Sequence, residues 1–422
     1  LRRIKSEYKK LGPGFITGAA DDDPSGIATY SITGAQFGYK LTFLAWITIP
    51  MMIAIQETCA RIGMLTGTGL AGVIKKYYSR KILYLAVSLL FIANTINIGA
   101  NLGVMAASIE MITGVNFIFW LIIVTIITIL AEILIPYKIY FGILKFTSFF
   151  LMVYILTSFM VTPDWIVVLR NLITPYFSMS RDYFMTIVGF LGTSISPYLF
   201  FWQASEEVED EISAGKIKDF AESKPFVSGR ELKSMRRDTD VGMIFSQMIS
   251  FFIVLTTAST LFAHGIYDIE SPSQAALALK PLAGDFTYLL FTIGIVGIGL
   301  QSIPVLAGSS AYAVSEALGV KEGLSKKFSQ AKIFYLTIAT STIIGLFINL
   351  LGINTIRALF YAAIINGVVA VPLIFLIMKL GSNEQVVGKN VSSTKTKFFG
   401  WMAFVLMFFA AVFMFLSMAG LI

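Results

Sequence analysis

Asp21-Asp22-Asp23-Pro24-Ser25-Gly26 sets three carboxylates and two helix breakers inside an apolar stretch long enough to cross a membrane. A charge at membrane depth is costly and persists mainly where it lines a cavity or pathway, so this hexapeptide is the first candidate for a transport site. Composition agrees with the membrane setting. Of the 422 residues, 56% are hydrophobic and only 14% charged, and the mean hydropathy is +0.78. A soluble domain of that length needs far more charge to cover its surface.

Apolar runs long enough for a helix to span the hydrocarbon predict eleven membrane spans. They fall at 12–38, 41–65, 82–112, 116–137, 142–162, 184–206, 240–263, 286–316, 333–352, 355–379 and 397–420. Basic residues near span ends tend to stay cytoplasmic. With the N-terminus inside, only Lys40, Arg170, Arg181, Lys280 and Arg357 of the 32 basic residues fall outside. The expectation is a multi-pass plasma-membrane protein in a lipid bilayer, with a cytoplasmic N-terminus and an extracellular C-terminus.

The formal charge of +7 is spread over every inner loop, so no nucleic-acid partner is expected. The basic start runs straight into the first span, so no cleavable signal peptide is expected. Cys59 is the only cysteine and His264 the only histidine. Together they exclude an intramolecular disulfide and a cysteine cluster, and they argue against histidine ligation or a histidine relay at the centre; His264 reads as a surface residue. No phosphate-binding loop is present, which argues against ATP-driven pumping. No enzymatic activity and no cofactor are expected, and a monomer is.

Two spans are interrupted at matching places: the first at Asp23-Pro24-Ser25-Gly26, the sixth at Gly192-Thr193-Ser194-Ile195-Ser196-Pro197. Proline removes a backbone donor and clashes with the preceding turn. Breaks in corresponding positions of two halves point to a midplane site in an inverted-repeat transporter. Because each half holds five spans, the second half enters the membrane from the opposite side. In such a break, unpaired carbonyls before the proline can coordinate a cation while the adjacent carboxylate supplies charge. That assigns Asp23; Asp21 and Asp22 point in other helical directions.

Gly12-Pro13-Gly14-Phe15, Asp23-Pro24, Gly34-Ala35-Gln36-Phe37-Gly38-Tyr39, Gln56-Glu57-Thr58-Cys59-Ala60-Arg61-Ile62-Gly63 and Thr66-Gly67 together resemble the first two helices of the NRAMP divalent-metal transporter family. The resemblance extends to the broken sixth span and the span count. It implies an all-α polytopic membrane protein of LeuT-like fold: two inverted five-helix repeats plus an eleventh helix, with helices 1 and 6 broken. On that plan residues 1–11 are a cytoplasmic tail, 12–162 and 184–379 the two repeats, 163–183 an extracellular loop, 380–396 a cytoplasmic loop and 397–422 the eleventh helix.

The departures from the family pattern carry as much. Where manganese and iron transporters show Asp-Pro-Gly-Asn and Met-Pro-His, the asparagine position here is Gly26, the methionine position Ser196 and the histidine position Tyr198. A thioether favours transition metals, and a hydroxyl removes that preference. Asn97-Ile98-Gly99-Ala100 replaces the Asp-Leu-Ala-Glu of proton-coupled relatives, and Gln203 replaces a further histidine. These changes resemble the NRAMP-related magnesium transporter branch. Small residues at Gly26 and Ser196 suggest a wide, oxygen-lined site, which suits Mg²⁺, an ion that keeps several of its waters. The candidate metal-binding set is Asp23, Ala20, Gly26, Thr193 and Ser196, with Ser25 and Ser194 holding waters. Asp21, Asp22, Tyr198, Trp202, Gln203 and Asn97 are candidate pathway or proton-linked residues.

Plainer roles stand beside these. Asp23 suits the cap of the second half-helix, and Ser194 and Ser196 suit bonds to the backbone. Glu57 and Arg61 read as a structural i, i+4 ion pair. The acidic run Glu206, Glu207, Glu209, Asp210 and Glu211 reads as solvated at the inner mouth, and Glu316 as solvated at a helix end. Asn97 and Asn101 share one face, open to either the pathway or a neighbouring helix. The functional expectation is a secondary transporter importing Mg²⁺ and also Mn²⁺ by alternating access without proton coupling. A sodium- or proton-coupled carrier of a small carboxylate or amino acid is the alternative, and a metal-binding scaffold a third reading.

Overall fold

The computed structural model describes residues 12–134, 148–161 and 163–421. Every regular element among them is helical. The first span is two short helices, α1 (Pro13–Asp21) and α2 (Pro24–Phe37). It stops because Pro24 opens a new helix at a position where its missing N–H costs nothing. The third to eighth helices are α3 (Phe43–Thr66), α4 (Leu70–Tyr77), α5 (Arg80–Thr113), α6 (Phe117–Leu134), α7 (Met152–Met160) and α8 (Trp165–Ile173). The second break, before Pro197, separates α9 (Arg181–Ser194) from α10 (Pro197–Ser213). After it come α11 (Gly229–Thr260), α12 (Thr287–Leu318), α13 (Lys332–Ile348), α14 (Thr355–Gly381) and α15 (Thr394–Met418).

Nine helical segments among the described residues are long and apolar enough to cross a membrane. The first expected span is missing from that number because its halves are nine and fourteen residues long. The fifth, 142–162, lies partly outside the described residues. Elsewhere the expected boundaries agree to within a few residues, except around the sixth and seventh spans. Both of those helices run on past the membrane-length stretch, so the connector between them shrinks to residues 214–228.

Glycines let the broken halves sit directly on their neighbours. A Cβ on Gly18 would fall 2.2 Å from the Gly242 carbonyl oxygen of α11, and one on Gly14 would fall 2.5 Å from the Thr239 backbone nitrogen. Both distances are impossible for real atoms, so α1 meets α11 backbone to backbone. Asp238 fastens the same contact at its end: its carboxylate accepts from the N–H groups of Gly12 (2.9 Å), Gly14 (2.7 Å) and Phe15 (3.3 Å). These are donors that a helix start leaves without partners, and an anion suits that end of the dipole. On the other break, Gly192 of α9 meets the backbone of Ala363 and Gly367 on α14 in the same way.

Two expectations of solvated charge are overturned. Glu206, Glu207, Glu209 and Glu211 are buried, leaving only Asp210 of the acidic run exposed. Glu209 accepts from Tyr312 Oη and the Leu324 N–H, Glu207 from Gln203, and Glu211 pairs with Lys216. The run therefore ties α10 to the connector and to the link after α12. Glu316 is buried as well, because its carboxylate accepts from the Gly72 N–H at the start of α4. Glu57 does pair with Arg61, and it also accepts from Thr396 of α15 and lies 3.5 Å from Arg236 Nε. His264 is exposed, as expected.

Overpacking a close helix contact costs about 1–3 kcal/mol. Gly18→Val is therefore expected to lower the thermal unfolding temperature of the purified protein and its monodisperse yield. Wild-type values for both would show that α1 does not rest on α11.

Candidate cation site at the two helix breaks

Asp23 caps α2. Its Oδ1 accepts from the Gly26 N–H (2.8 Å) and from Ser25 Oγ (2.6 Å). Its Oδ2 accepts from Asn97 Nδ2 (3.1 Å) and Asn101 Nδ2 (3.2 Å) of α5. The capping role and a place at the centre of the site are thus one geometry. Burying a carboxylate here is tolerable because four donors converge on it. Asn101 also reaches Ser302 Oγ of α12 at 3.2 Å. Both asparagines therefore bond neighbouring helices, and they do so through the Asp23 carboxylate.

Asp21 and Asp22 turn the other way, toward α11. Ser246 Oγ donates to Asp21 Oδ2 at 2.6 Å and lies 3.4 Å from Asp22 Oδ1. The three carboxylates, each at most 1% exposed, thus form two polar nests separated by the chain itself. Among the described residues none of them forms an ion pair. Four buried oxygens have no hydrogen-bond partner there: Asp21 Oδ1, Asp22 Oδ2, Asn97 Oδ1 and Asn101 Oδ1.

Two of the carbonyls that end α1 are occupied. Tyr198 Oη donates to the Ala20 carbonyl at 3.1 Å and Gln301 Nε2 to the Ala19 carbonyl at 3.2 Å. Helix ends leave such carbonyls open, and here two side chains from α10 and α12 close them. Ser196 turns back on its own break, donating to the Gly192 and Thr193 carbonyls at 2.9 and 2.7 Å. Gly26 leaves little spare room: an added Cβ would stand 3.1 Å from Thr193 Oγ1 and 3.4 Å from both the Asp21 carbonyl oxygen and Tyr30 Cε2. The expected wide gap is filled at this position by Thr193 and Tyr30, and Tyr30 Oη is hydrogen-bonded to Ser194 Oγ at 3.1 Å.

The structure therefore gathers Asp23, Gly26, Thr193 and Asn97, with Ala20 and Tyr198 beside them and Asp21 and Asp22 on the α11 side. Ser196 keeps its hydroxyl within the break. Trp202 and Gln203 lie further along α10: Trp202 packs against Tyr312 and over Gly308, and Gln203 donates to Glu207. Ser246, Ser302, Tyr30 and Gln301 are site residues that sequence reasoning missed. A serine or glutamine on a long apolar helix is a weak signal, because either one commonly bonds to its own backbone. Among the described residues no three carboxylate, histidine or cysteine side chains are grouped to hold a metal by themselves.

Residues 14–417 match the Nramp family, described as natural resistance-associated macrophage protein-like. The chain is also similar to a solved manganese transporter from Eremococcus coleocola, with a TM-score of 0.75 at 15% identity over 97% of this chain and 86% of that one. It is similar to Mhp1, a nucleobase-cation-symport-1 family transporter (TM-score 0.62, 12% identity, 96% of this chain and 92% of that one). MhsT, solved in complex with L-phenylalanine, matches with a TM-score of 0.54 at 14% identity over 96% and 98% of the two chains. At these identities the likeness establishes the fold, which is LeuT-like with two inverted five-helix repeats.

A hydrogen bond to a charged group contributes about 1.5–3 kcal/mol. Asn101→Ala is accordingly expected to weaken cation binding roughly tenfold or more, measured by calorimetry on the purified protein. Unchanged affinity would show that the Asn101 contact to Asp23 does not shape the site.

Proposed function

The chain belongs to the Nramp family, and on that premise we propose that it is a secondary transporter importing divalent metal cations, Mg²⁺ and with it Mn²⁺, by alternating access and without proton coupling. One observation carries this reading. Asp21, Asp22 and Asp23 are buried together, and their partners among the described residues are neutral hydroxyl, amide and backbone groups. Uncompensated carboxylates at membrane depth call for a cation.

The donor chemistry favours a hard ion. Ligands available at the breaks are carboxylate, amide, hydroxyl and carbonyl oxygens, and Ser196 stands at the family's methionine position. Mg²⁺ is held by one or two carboxylates while keeping waters, which fits a site without a dedicated cage. The separate nests around Asp23 and around Asp21 with Asp22 supply two such holding points. Within this reading Asp23, Ala20, Gly26 and Thr193 meet the ion, Ser196 keeps the second break open, and Tyr198 and Gln301 withdraw from the α1 carbonyls when it arrives. Inward movement needs no proton: one charge gains about 2.3 kcal/mol per 100 mV, and a divalent ion twice that. Asn97, at a position where proton-coupled relatives carry an acid, instead donates to Asp23.

The organic-solute alternative is less well supported. A substrate carboxylate would meet three carboxylates, and the N-terminus of α2, the natural anion dock, is already capped by Asp23. The distribution of basic residues supports a cytoplasmic N-terminus and an extracellular C-terminus, and we take the membrane to be the plasma membrane. We take the repeats as residues 12–162 and 184–379 and the transporter as a monomer.

Reconstitution in liposomes with internal dyes for Mg²⁺, Mn²⁺ and pH tests the reading. Saturable entry of both ions without internal acidification is expected, and Asp23→Ala should abolish entry while inserting normally. Normal uptake in that variant rejects the site, acidification coupled to entry rejects the uncoupled mechanism, and no entry by the folded protein rejects divalent transport.

A further inference from the structure

A cavity of about 580 Å³ opens on the face formed by α4, the 214–228 connector and the link after α12, remote from the helix breaks. Its size is that of small-molecule sites. Most of the charges around it are already engaged. Asp219 pairs with Lys326, Glu222 accepts from the Lys218 N–H, Glu316 accepts from Gly72, and Lys75 donates to the Glu316 carbonyl. Lys76, Lys224 and Lys321 line the cavity with no ion pair among the described residues.

One acid is left over. Glu322 is 5% exposed, and its Oε2 has no hydrogen-bond partner among the described residues although its side chain lines the cavity. A buried polar group without a partner is costly, so its place in a pocket wall asks for a ligand group. Burial, and after it the neighbouring Glu316 carboxylate, push Glu322 well above the ordinary range. Its unpartnered oxygen is placed to accept from a ligand hydroxyl. Tyr77 and Phe220 supply aromatic wall on either side.

We propose that this cavity binds a phosphorylated polyol, with phosphate on Lys76, Lys224 and Lys321 and a hydroxyl of the ligand donating to Glu322. Lysine is a common phosphate partner as a point charge, and a buried acid that accepts from sugar hydroxyls recurs in nucleotide sites. A free nucleoside phosphate and an inositol phosphate headgroup of the adjoining bilayer share this chemistry. Bound there, either ligand would clamp the connector to α4 and to the end of α12.

The test titrates the purified full chain with ADP and with pyrophosphate. In a parallel arm it is titrated with phosphatidylcholine vesicles carrying phosphatidylinositol phosphate or phosphatidic acid. Saturable binding of ADP assigns a free ligand, and binding confined to the inositol lipid assigns a headgroup; either result supports the proposal. Lys224→Ala with Lys321→Ala should weaken binding about tenfold or more while the unfolding temperature stays at the wild-type value. Glu322→Leu should weaken ADP or the inositol lipid but spare pyrophosphate or phosphatidic acid. No saturable binding in either arm, or wild-type affinity in the lysine double variant, overturns the proposal. Equal affinities of Glu322→Leu and the wild type for the hydroxyl-bearing ligand overturn the role of Glu322.

Discussion

The capped carboxylate of Asp23 is the contact on which the arrangement turns. A continuous helix would carry this acid through the membrane with no donors for it. Stopping the helix at Asp22 frees the first N–H groups of α2, and Asp23 takes one of them together with the Ser25 hydroxyl. The same acid then draws two asparagines from α5, and through Asn101 the serine of α12. Capping, interhelix bonding and the site are therefore one set of hydrogen bonds, and the break is as much a cause of the packing as a result of it.

The two breaks are alike in sequence and different in use. Pro24 and Pro197 each open a half-helix, but only the first has a carboxylate as its cap. At the second, the Ser196 hydroxyl bonds backward to the end of α9, so the cap position is spent on holding the break in shape. The charge of the site thus comes wholly from the first half of the chain. The second half supplies neutral groups: Tyr198 and Gln301 donate to backbone carbonyls of α1, Ser246 donates to Asp21, and Ser302 accepts from Asn101.

Much of this was legible in the sequence, and the physical reason is that membranes make spans conspicuous. All eleven expected spans carry helix among the described residues, the fifth only in part, and the proline breaks fall where Pro24 and Pro197 said they would. What the sequence hid was pairing. Nothing in the spacing of Ser246 or Ser302 distinguishes a serine that reaches across to another helix from one that bonds to its own. The acidic run after α10 misled for a related reason: Glu206, Glu207, Glu209 and Glu211 read as a solvated surface, and only the folded connector shows that they are roofed over. Gly26 misled in the opposite sense, because a small residue in sequence is not a void in space when Thr193 and Tyr30 occupy it.

Where side chains interlock, ridge into groove, two helices can separate only by climbing over one another. The seat of α1 on α11 has few such teeth, the Phe15 ring against Phe245 among them, since Gly14, Gly18 and Gly242 bring bare backbone together. Along the glycine strip that surface is smooth. Once the three N–H bonds to Asp238 at its far end are released, α1 is a nine-residue rod resting on a flat bearing and joined to α2 by two residues alone. What then still holds it is its inner end alone, where Tyr198, Gln301 and Ser246 bind the last residues of the rod, so that end becomes a pivot.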